Sequence, residues 1–164
     1  MKKTITGLLV ALAVAAGAGH AAAQGTLPLS IGVRIDAGIP VGDASDALET
    51  GFGFGVEAAF DLTPTFAIYG GFSQFQFDIE DSDVEVEENG FDLGGRVLLG
   101  TGAGVATPYA QFGVLFHEDE VGFEAGLGAD YPVGNSLSLM PMVRYRSIED
   151  LDYVSVGVGL SFRL

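Results

Sequence analysis

Residues 153–164 read YVSVGVGLSFRL, and from Val154 onward they alternate between large apolar and small or polar side chains. Valine, leucine and phenylalanine occupy the even positions, whereas serine, glycine and Arg163 occupy the odd ones. Successive side chains of a β-strand point to opposite faces, so a period of two indicates a strand whose faces meet different surroundings. The segment therefore predicts a strand with one apolar face and one polar face.

The same alternation recurs seven times upstream, and turn residues separate the runs. The runs cover residues 27–39, 52–62, 66–77, 91–99, 108–116, 121–131 and 136–146. Eight such strands in sequence predict an all-β, antiparallel, up-and-down barrel. In the third run the large apolar residues shift from even to odd positions between Phe72 and Phe75, which predicts a β-bulge near Ser73–Gln74.

The N-terminus has the features of an export signal. Residues 1–3 carry two lysines, residues 5–18 are apolar and uncharged, and residues 21–23 are three alanines. The apolar run is shorter than the roughly 20 residues of a membrane-spanning helix, and the alanines fit a cleavage site. We predict that residues 1–23 are a cleaved signal peptide and that residues 24–164 form one barrel domain.

The composition excludes several classes of function. The 164 residues include no cysteine, which excludes disulfide scaffolds and cysteine-based redox or zinc sites. Asp and Glu total 22 against 7 Lys and Arg, and both lysines lie in the predicted signal peptide. Because phosphate binding needs a basic surface, nucleic acid is excluded as a partner. A mean hydropathy of +0.39 also argues against disorder.

The charged residues separate into two groups. The connections after strands 1, 3, 5 and 7 contain 16 of the 22 acidic residues, whereas the other connections are nearly uncharged. Every other charged residue of the predicted mature chain lies on the polar face of its strand. This second group comprises Arg34, Asp36, Glu57, Asp61, Asp92, Arg96, Glu124, Asp130, Arg144, Arg146 and Arg163.

Two kinds of barrel fit this pattern. A soluble barrel turns its apolar face inward, whereas a membrane barrel turns it toward lipid and lines its lumen with the charged residues. The export signal favours the membrane barrel. The interior of an eight-stranded barrel is narrow, so the glycine-rich face fits inside it better than the phenylalanine-rich face, which also favours the membrane barrel. Aromatic residues also lie near both ends of the apolar faces, as in interfacial girdles. These are Phe60, Phe66, Tyr131 and Phe162 at one end and Phe52, Phe91, Phe116, Phe123 and Tyr145 at the other.

Three segments carry a family resemblance. GFGFGVEAAFDLTPTFAIYGGFSQFQFD (51–78) and FEAGLGADYPVGNSLSLMPMVRYRSI (123–148) resemble the strand–turn–strand units of the small outer-membrane β-barrels, which include opacity-type proteins and the transmembrane domain of outer-membrane protein A. Segment 153–164 resembles the C-terminal strand that the barrel-assembly machinery reads. The resemblance implies outer-membrane localisation, contact with outer-membrane lipid and a monomer whose termini are both periplasmic.

The polar faces predict ion pairs in the lumen. If Ile39 faces Phe52, Arg34 faces Glu57, and a three-residue turn at 133–135 would place Glu124 opposite Arg144. Together with Arg96, these residues are expected to satisfy one another and to plug the barrel. A narrow porin-like channel past Arg34, Arg96 and Arg144 is the alternative.

Catalysis has little support in the sequence. Small barrels that modify lipid A would, by resemblance, need a histidine with a partner serine. The predicted mature chain has one histidine, His117, and the next serine along the chain, Ser136, falls at the opposite end of the predicted barrel. We therefore predict no enzymatic activity, no catalytic residue, no cofactor and no specific metal site, with a lipid A-modifying enzyme as a second alternative.

The acidic connections form the predicted outer surface. In the longest, Asp81, Asp83, Glu85 and Glu87 occupy alternate positions, so an extended hairpin would align them on one face. Such carboxylates repel one another and favour oxygen-seeking cations such as Ca²⁺, which we expect to bind loosely at most. The sequence thus favours an envelope-structure or surface-interaction protein with acidic extracellular loops.

Overall fold

The computed structural model describes residues 28–79, 85–100, 106–117 and 120–164. The predicted signal peptide and its cleavage site lie outside these residues. Within the described ranges, no helix is long and apolar enough to cross a membrane.

Eight antiparallel strands form a closed barrel in which each strand pairs with its neighbours along the chain and β1 pairs with β8. The strands are β1 (Leu29–Pro40), β2 (Gly51–Thr63), β3 (Phe66–Asp78), β4 (Glu85–Leu98), β5 (Thr107–His117), β6 (Glu120–Pro132), β7 (Leu137–Ile148) and β8 (Leu151–Arg163). One short 3-10 helix, Gly42–Asp46, lies between β1 and β2. The predicted eight-stranded up-and-down barrel is confirmed. We call the end that carries the β1–β2, β3–β4, β5–β6 and β7–β8 connections the outer end.

The two faces of the wall are reversed relative to a soluble protein. On β8, Val156, Val158 and Leu160 point outward and are exposed, whereas Ser155 and Ser161 are buried inside. Large apolar side chains on the other strands are exposed in the same way, and Phe52 reaches 74%. An apolar belt that surrounds a closed barrel is stable against lipid and not against water.

Aromatic side chains lie in the belt near both of its ends. Near the outer end the exposed rings are Phe52 and Phe123. Near the end opposite to it they are Phe60, Tyr131 and Phe162. Aromatic rings at these two levels suit the interfaces between hydrocarbon and headgroups.

The predicted bulge in β3 is wrong. Pairing of β3 with β4 runs without interruption from Phe66 to Asp78, and the irregularity between β2 and β3 lies at Asp61/Thr63. The strand keeps its phase, and Phe75 and Phe77 point into the lumen, where both are fully buried. Glycines on β2 leave room for the two phenylalanine rings. A Cβ on Gly53 would lie 2.6 Å from the Phe75 ring, and one on Gly51 2.6 Å from the Phe77 ring.

Both predicted registers are wrong by two residues. Arg34 pairs with Gly55 rather than Glu57, and Glu124 pairs with Arg146 rather than Arg144. The connection between β1 and β2 contains the 3-10 helix, and the observed pairing places Ala37 rather than Ile39 opposite Phe52.

The turn between β6 and β7 is also longer than predicted. The amides of Val133 and Gly134 both donate to the carbonyl of Leu137, at 2.9 and 3.2 Å, and β7 begins only there. A shift of two residues preserves which face each side chain occupies. The charged residues therefore still enter the lumen, with different neighbours.

Candidate functional site

The lumen contains a dense group of charged side chains. Four arginines and five carboxylates on β1, β2, β4, β6 and β7 point inward, and each is at most 7% exposed. We call this group the lumen network; its members are Arg34, Asp36, Glu57, Glu88, Asp92, Arg96, Glu124, Arg144 and Arg146. Nearly equal numbers of opposite charges allow these groups to be buried, because each is close to a counter-charge.

Glu124 is the centre of the network. Its Oε1 accepts hydrogen bonds from Tyr69 Oη at 2.6 Å and from Gln111 Nε2 at 3.1 Å. Its Oε2 lies 3.5 Å from Arg144 Nη1 and 3.3 Å from Arg146 Nε. One carboxylate thus joins side chains of three other strands, β3, β5 and β7.

A second group of contacts lies around Asp36. Arg144 Nη2 donates to Asp36 Oδ1 at 2.9 Å, and Arg34 Nε lies 3.3 Å from Asp36 Oδ2. Arg34 Nη2 also donates to Asp92 Oδ2 at 3.4 Å, which links β1 to β4 across the lumen. Neither Asp36 nor Asp92 was among the predicted ion-pair residues, although both lie on the polar phase of their strands.

Glu57 binds mainly to Arg96. Arg96 Nη2 donates to Glu57 Oε1 at 2.7 Å and to Gln111 Oε1 at 3.0 Å. The Arg96 guanidinium also lies over the ring of Tyr109, 4.3 Å from its centroid. The predicted partner, Arg34, comes only within 3.9 Å of Glu57, so the closer pair is one that we did not predict.

The network ends in an aromatic layer toward the outer end. Arg146 Nη1 donates to Tyr153 Oη at 2.8 Å, and this hydroxyl donates to Glu88 Oε2 at 2.9 Å. The Tyr153 ring lies 5.0 Å from that of Phe75 and 5.2 Å from that of Phe77. We call Phe75, Phe77 and Tyr153 the aromatic layer; all three are fully buried.

Sequence reasoning missed the role of Glu88. We assigned it to an acidic connection, but β4 already begins at Glu85, and Glu88 is 3% exposed inside the barrel. The sequence did indicate this position, because Glu88 and Asp92 are an even number of positions apart and so fall on the same face of a strand.

Glycines on the inner face give the charged side chains their space. A Cβ on Gly55 would lie 2.7 Å from Arg34 Cζ, and one on Gly157 would lie 2.2 Å from Asp36 Oδ1. Both distances are shorter than real Cβ contacts. Glycine and charged residue therefore fill the narrow interior together.

The histidine and the serine considered for the lipid A-modifying alternative lie far apart. His117 ends β5 at the outer end, where its Nδ1 contacts the carbonyl oxygen of Asn89. Ser136 precedes β7 at the opposite end, beyond the full length of β6.

Half of the predicted acidic patch can be placed. Asp81 and Asp83 lie outside the described residues, whereas Glu85 and Glu87 are exposed on the outer face of β4. Gln76 Nε2 donates to Glu87 Oε1 at 3.2 Å across the β3–β4 hairpin. Among the residues that the structure describes, no three His, Cys, Asp or Glu side chains are arranged to hold a metal ion.

Comparison with known proteins agrees with this architecture. A sequence model described as the outer membrane protein β-barrel domain matches residues 8–163. No curated protein matches the chain significantly.

Several solved structures share the fold at low identity. Neisserial surface protein A is 9% identical, with a TM-score of 0.66 over 86% of this chain and 100% of that one. The N-terminal barrel of Pseudomonas aeruginosa OprF is 13% identical, with a TM-score of 0.60 over 85% and 100%. The Yersinia pestis attachment invasion locus protein Ail is 13% identical, with a TM-score of 0.55 over 83% and 96%.

Proposed function

The chain belongs to the family of outer membrane protein β-barrel domains, and from that premise we propose that it is a closed, non-conducting and non-enzymatic membrane anchor. Its lipid-facing belt holds it in the outer membrane, and its acidic outer connections serve envelope structure or surface interaction. Both ends of the barrel domain are periplasmic, so the acidic connections face the exterior.

The observation that carries this proposal is side-chain contact across the lumen. Tyr69 on β3 bonds to Glu124 on β6, and Arg34 on β1 bonds to Asp92 on β4. In each pair the two strands are separated by two others around the barrel. Contacts between such distant strands cross the lumen and obstruct an ion path.

The aromatic layer adds a second obstruction above the lumen network. Its three rings lie within 6.0 Å of one another between centroids. A hydrated ion would have to displace these rings and then separate ion pairs that are buried from water. The narrow porin-like channel is therefore the less favoured function.

The remaining parts of the proposal concern assembly and cations. We propose that strand 153–164 is recognised by the barrel-assembly machinery and that the barrel acts as a monomer. Divalent cations would bind the acidic connections loosely, since Glu85 and Glu87 are exposed and solvated. A lipid A-modifying activity is not proposed, because His117 and Ser136 lie at opposite ends.

Planar-bilayer recording of the purified mature chain tests the closed lumen. We expect no stable conductance steps from the native chain or from Phe75→Ala with Phe77→Ala, because the lumen network lies beneath the aromatic layer. Arg34→Ala combined with Arg96→Ala and Arg144→Ala serves as the opened control. Stable, ion-selective steps from the native chain would refute the proposal.

A further inference from the structure

A cavity of about 460 Å³ opens at the outer end of the barrel. Its walls are formed by the 3-10 helix between β1 and β2, the start of β4, the β7–β8 turn, and the adjoining ends of β5 and β6. We call it the mouth cavity. Its volume is within the range of about 300–1,000 Å³ that is typical of binding sites for small molecules.

The floor of the mouth cavity is apolar. Leu48, Val86 and Leu151 line it and pack against the aromatic layer below. Ala44 and Ile148 complete this surface, and both are buried. The floor therefore rests on the rigid, fully buried top of the lumen and is formed before any ligand arrives.

The rim of the mouth cavity is acidic. Beside the buried Glu88, its carboxylates are Asp43, Glu120, Glu149 and Asp150, and Glu87 borders it from the outward face of β4. His117 is the one residue among the described lining that can carry a positive charge. A hydrogen bond shared with Glu120, and repulsion between the two carboxylates, raise the pKa of Glu149.

Apart from His117, no basic side chain among the described residues is available to neutralise the rim. Four of the protein's five arginines are buried in the lumen, and Arg163 pairs with Asp61 at the opposite end, with 3.2 Å between Nη2 and Oδ2. Both lysines belong to the predicted signal peptide, and segments 80–84 and 118–119 contain acidic residues and no basic ones. The rim carboxylates therefore outnumber the basic groups beside them and attract cationic groups of other molecules.

From the apolar floor and the uncompensated acidic rim, we propose that the mouth cavity binds a basic peptide segment of a partner protein, in which a large apolar side chain is flanked by lysine or arginine. The apolar side chain would occupy the floor, and the flanking cations would bind the rim carboxylates. This inference rests on the proposed role in surface interaction and names the chemistry of the partner.

The absence of tryptophan in the protein allows a direct test. The acetylated and amidated probe Lys-Lys-Trp-Lys-Lys is titrated with the barrel in nanodiscs, and the tryptophan emission is followed. We expect a saturable blue shift as the indole leaves water. Gln-Gln-Trp-Gln-Gln should give no shift at the same concentrations. In competition with the tryptophan probe, Lys-Lys-Gly-Lys-Lys should bind at least about tenfold more weakly than Lys-Lys-Leu-Lys-Lys.

Matched variants distinguish binding in the mouth cavity from general electrostatic attraction to the acidic surface. Glu120→Gln with Glu149→Gln should weaken binding about tenfold or more, whereas Asp46→Asn with Glu85→Gln should weaken it less than about threefold. The second pair removes the same charge from the same surface but does not line the cavity. Leu48→Asn should abolish the blue shift while leaving the rim intact. A heat-dependent gel shift verifies that each variant is folded.

Three results would overturn this inference: no saturable shift, equal losses in the two charge variants, or equal competition by the glycine and leucine peptides. The rim would instead be a site for divalent cations if Ca²⁺ displaced the probe and Na⁺ at the same ionic strength did not. Conductance is recorded on the same preparations. A closed barrel that does not bind the probe contradicts only this inference, whereas a conducting barrel that binds it contradicts only the closed anchor.

Discussion

Tyr69 on β3 donates a 2.6 Å hydrogen bond to Glu124 on β6, and this bond connects two strands that do not touch. Both side chains are nearly fully buried, at 2% and 1% exposure. The same carboxylate also lies close to Arg144 and Arg146. The bond therefore holds together the middle of the lumen network.

Tyr69→Phe should lower the free energy of unfolding by about 1.5–3 kcal/mol, because it removes one donor from a buried carboxylate without leaving a large cavity. Urea unfolding in lipid vesicles, followed by the heat-dependent gel shift, measures this loss. Tyr131→Phe, on the exposed apolar belt, is the control and should change the value by less than about 0.5 kcal/mol. Equal effects of the two substitutions would contradict the cross-lumen bond.

The partner of Glu57 can be identified by a double-mutant cycle. Glu57→Ala leaves Arg96 buried without its closest carboxylate and should cost about 3–5 kcal/mol. Adding Arg96→Ala should recover part of this loss, whereas adding Arg34→Ala should recover less, because its guanidinium is 3.9 Å from Glu57 rather than 2.7 Å. A larger coupling energy with Arg34 would favour the register predicted from the sequence over the observed one.

Phe75→Ala should destabilise the barrel by about 3–5 kcal/mol, because it leaves a cavity beside Phe77 and Tyr153. Phe72, which points outward on the same strand and is only half-buried, is the matched control. Phe72→Ala should cost clearly less in the same unfolding experiment. The opposite order would mean that β3 changes phase and contains the bulge.

Glu149 gives a prediction for pH. Its hydrogen bond to Glu120 and the repulsion between the two carboxylates raise its pKa above the ordinary value of 4.5. The folded state then binds the proton more tightly than the unfolded state, so this contribution to stability is present at low pH and is lost as pH rises through the raised pKa. Carboxyl NMR titration should show the raised pKa, and Glu120→Gln should lower it toward 4.5. An unchanged pKa in the variant would exclude the shared proton.

The sequence was sufficient to predict the eight strands and, except for Phe75 and Phe77 on β3, the faces of the barrel. Alternation assigned Arg34, Glu57, Arg96, Glu124 and Arg144 to the polar face, and the structure places all five in the lumen. A period of two cannot distinguish registers that differ by two residues, because each side chain stays on the same face. For this reason the pairings of Arg34 and Glu124 were wrong although their orientation was correct.

Contacts across the lumen were beyond sequence reasoning for a second reason. The bonds between Tyr69 and Glu124 and between Arg34 and Asp92 depend on the tilt and stagger of the whole barrel, which no local pattern contains. The apparent change of phase in β3 had a simpler cause. Phe75 and Phe77 are large apolar residues on the inner face, and the facing Gly51 and Gly53 were the available sign of it.

Cysteine accessibility tests the closed lumen most directly, because the native chain contains no cysteine. Ser73 is fully buried on the inner face of β3, and Asp46 is exposed at the outer end. In proteoliposomes, a charged, water-soluble thiol reagent should modify Ser73→Cys at least about 100-fold more slowly than Asp46→Cys, because the lumen network and the aromatic layer exclude water. Modification of the two cysteines at similar rates would show a water-filled lumen and contradict the closed membrane anchor.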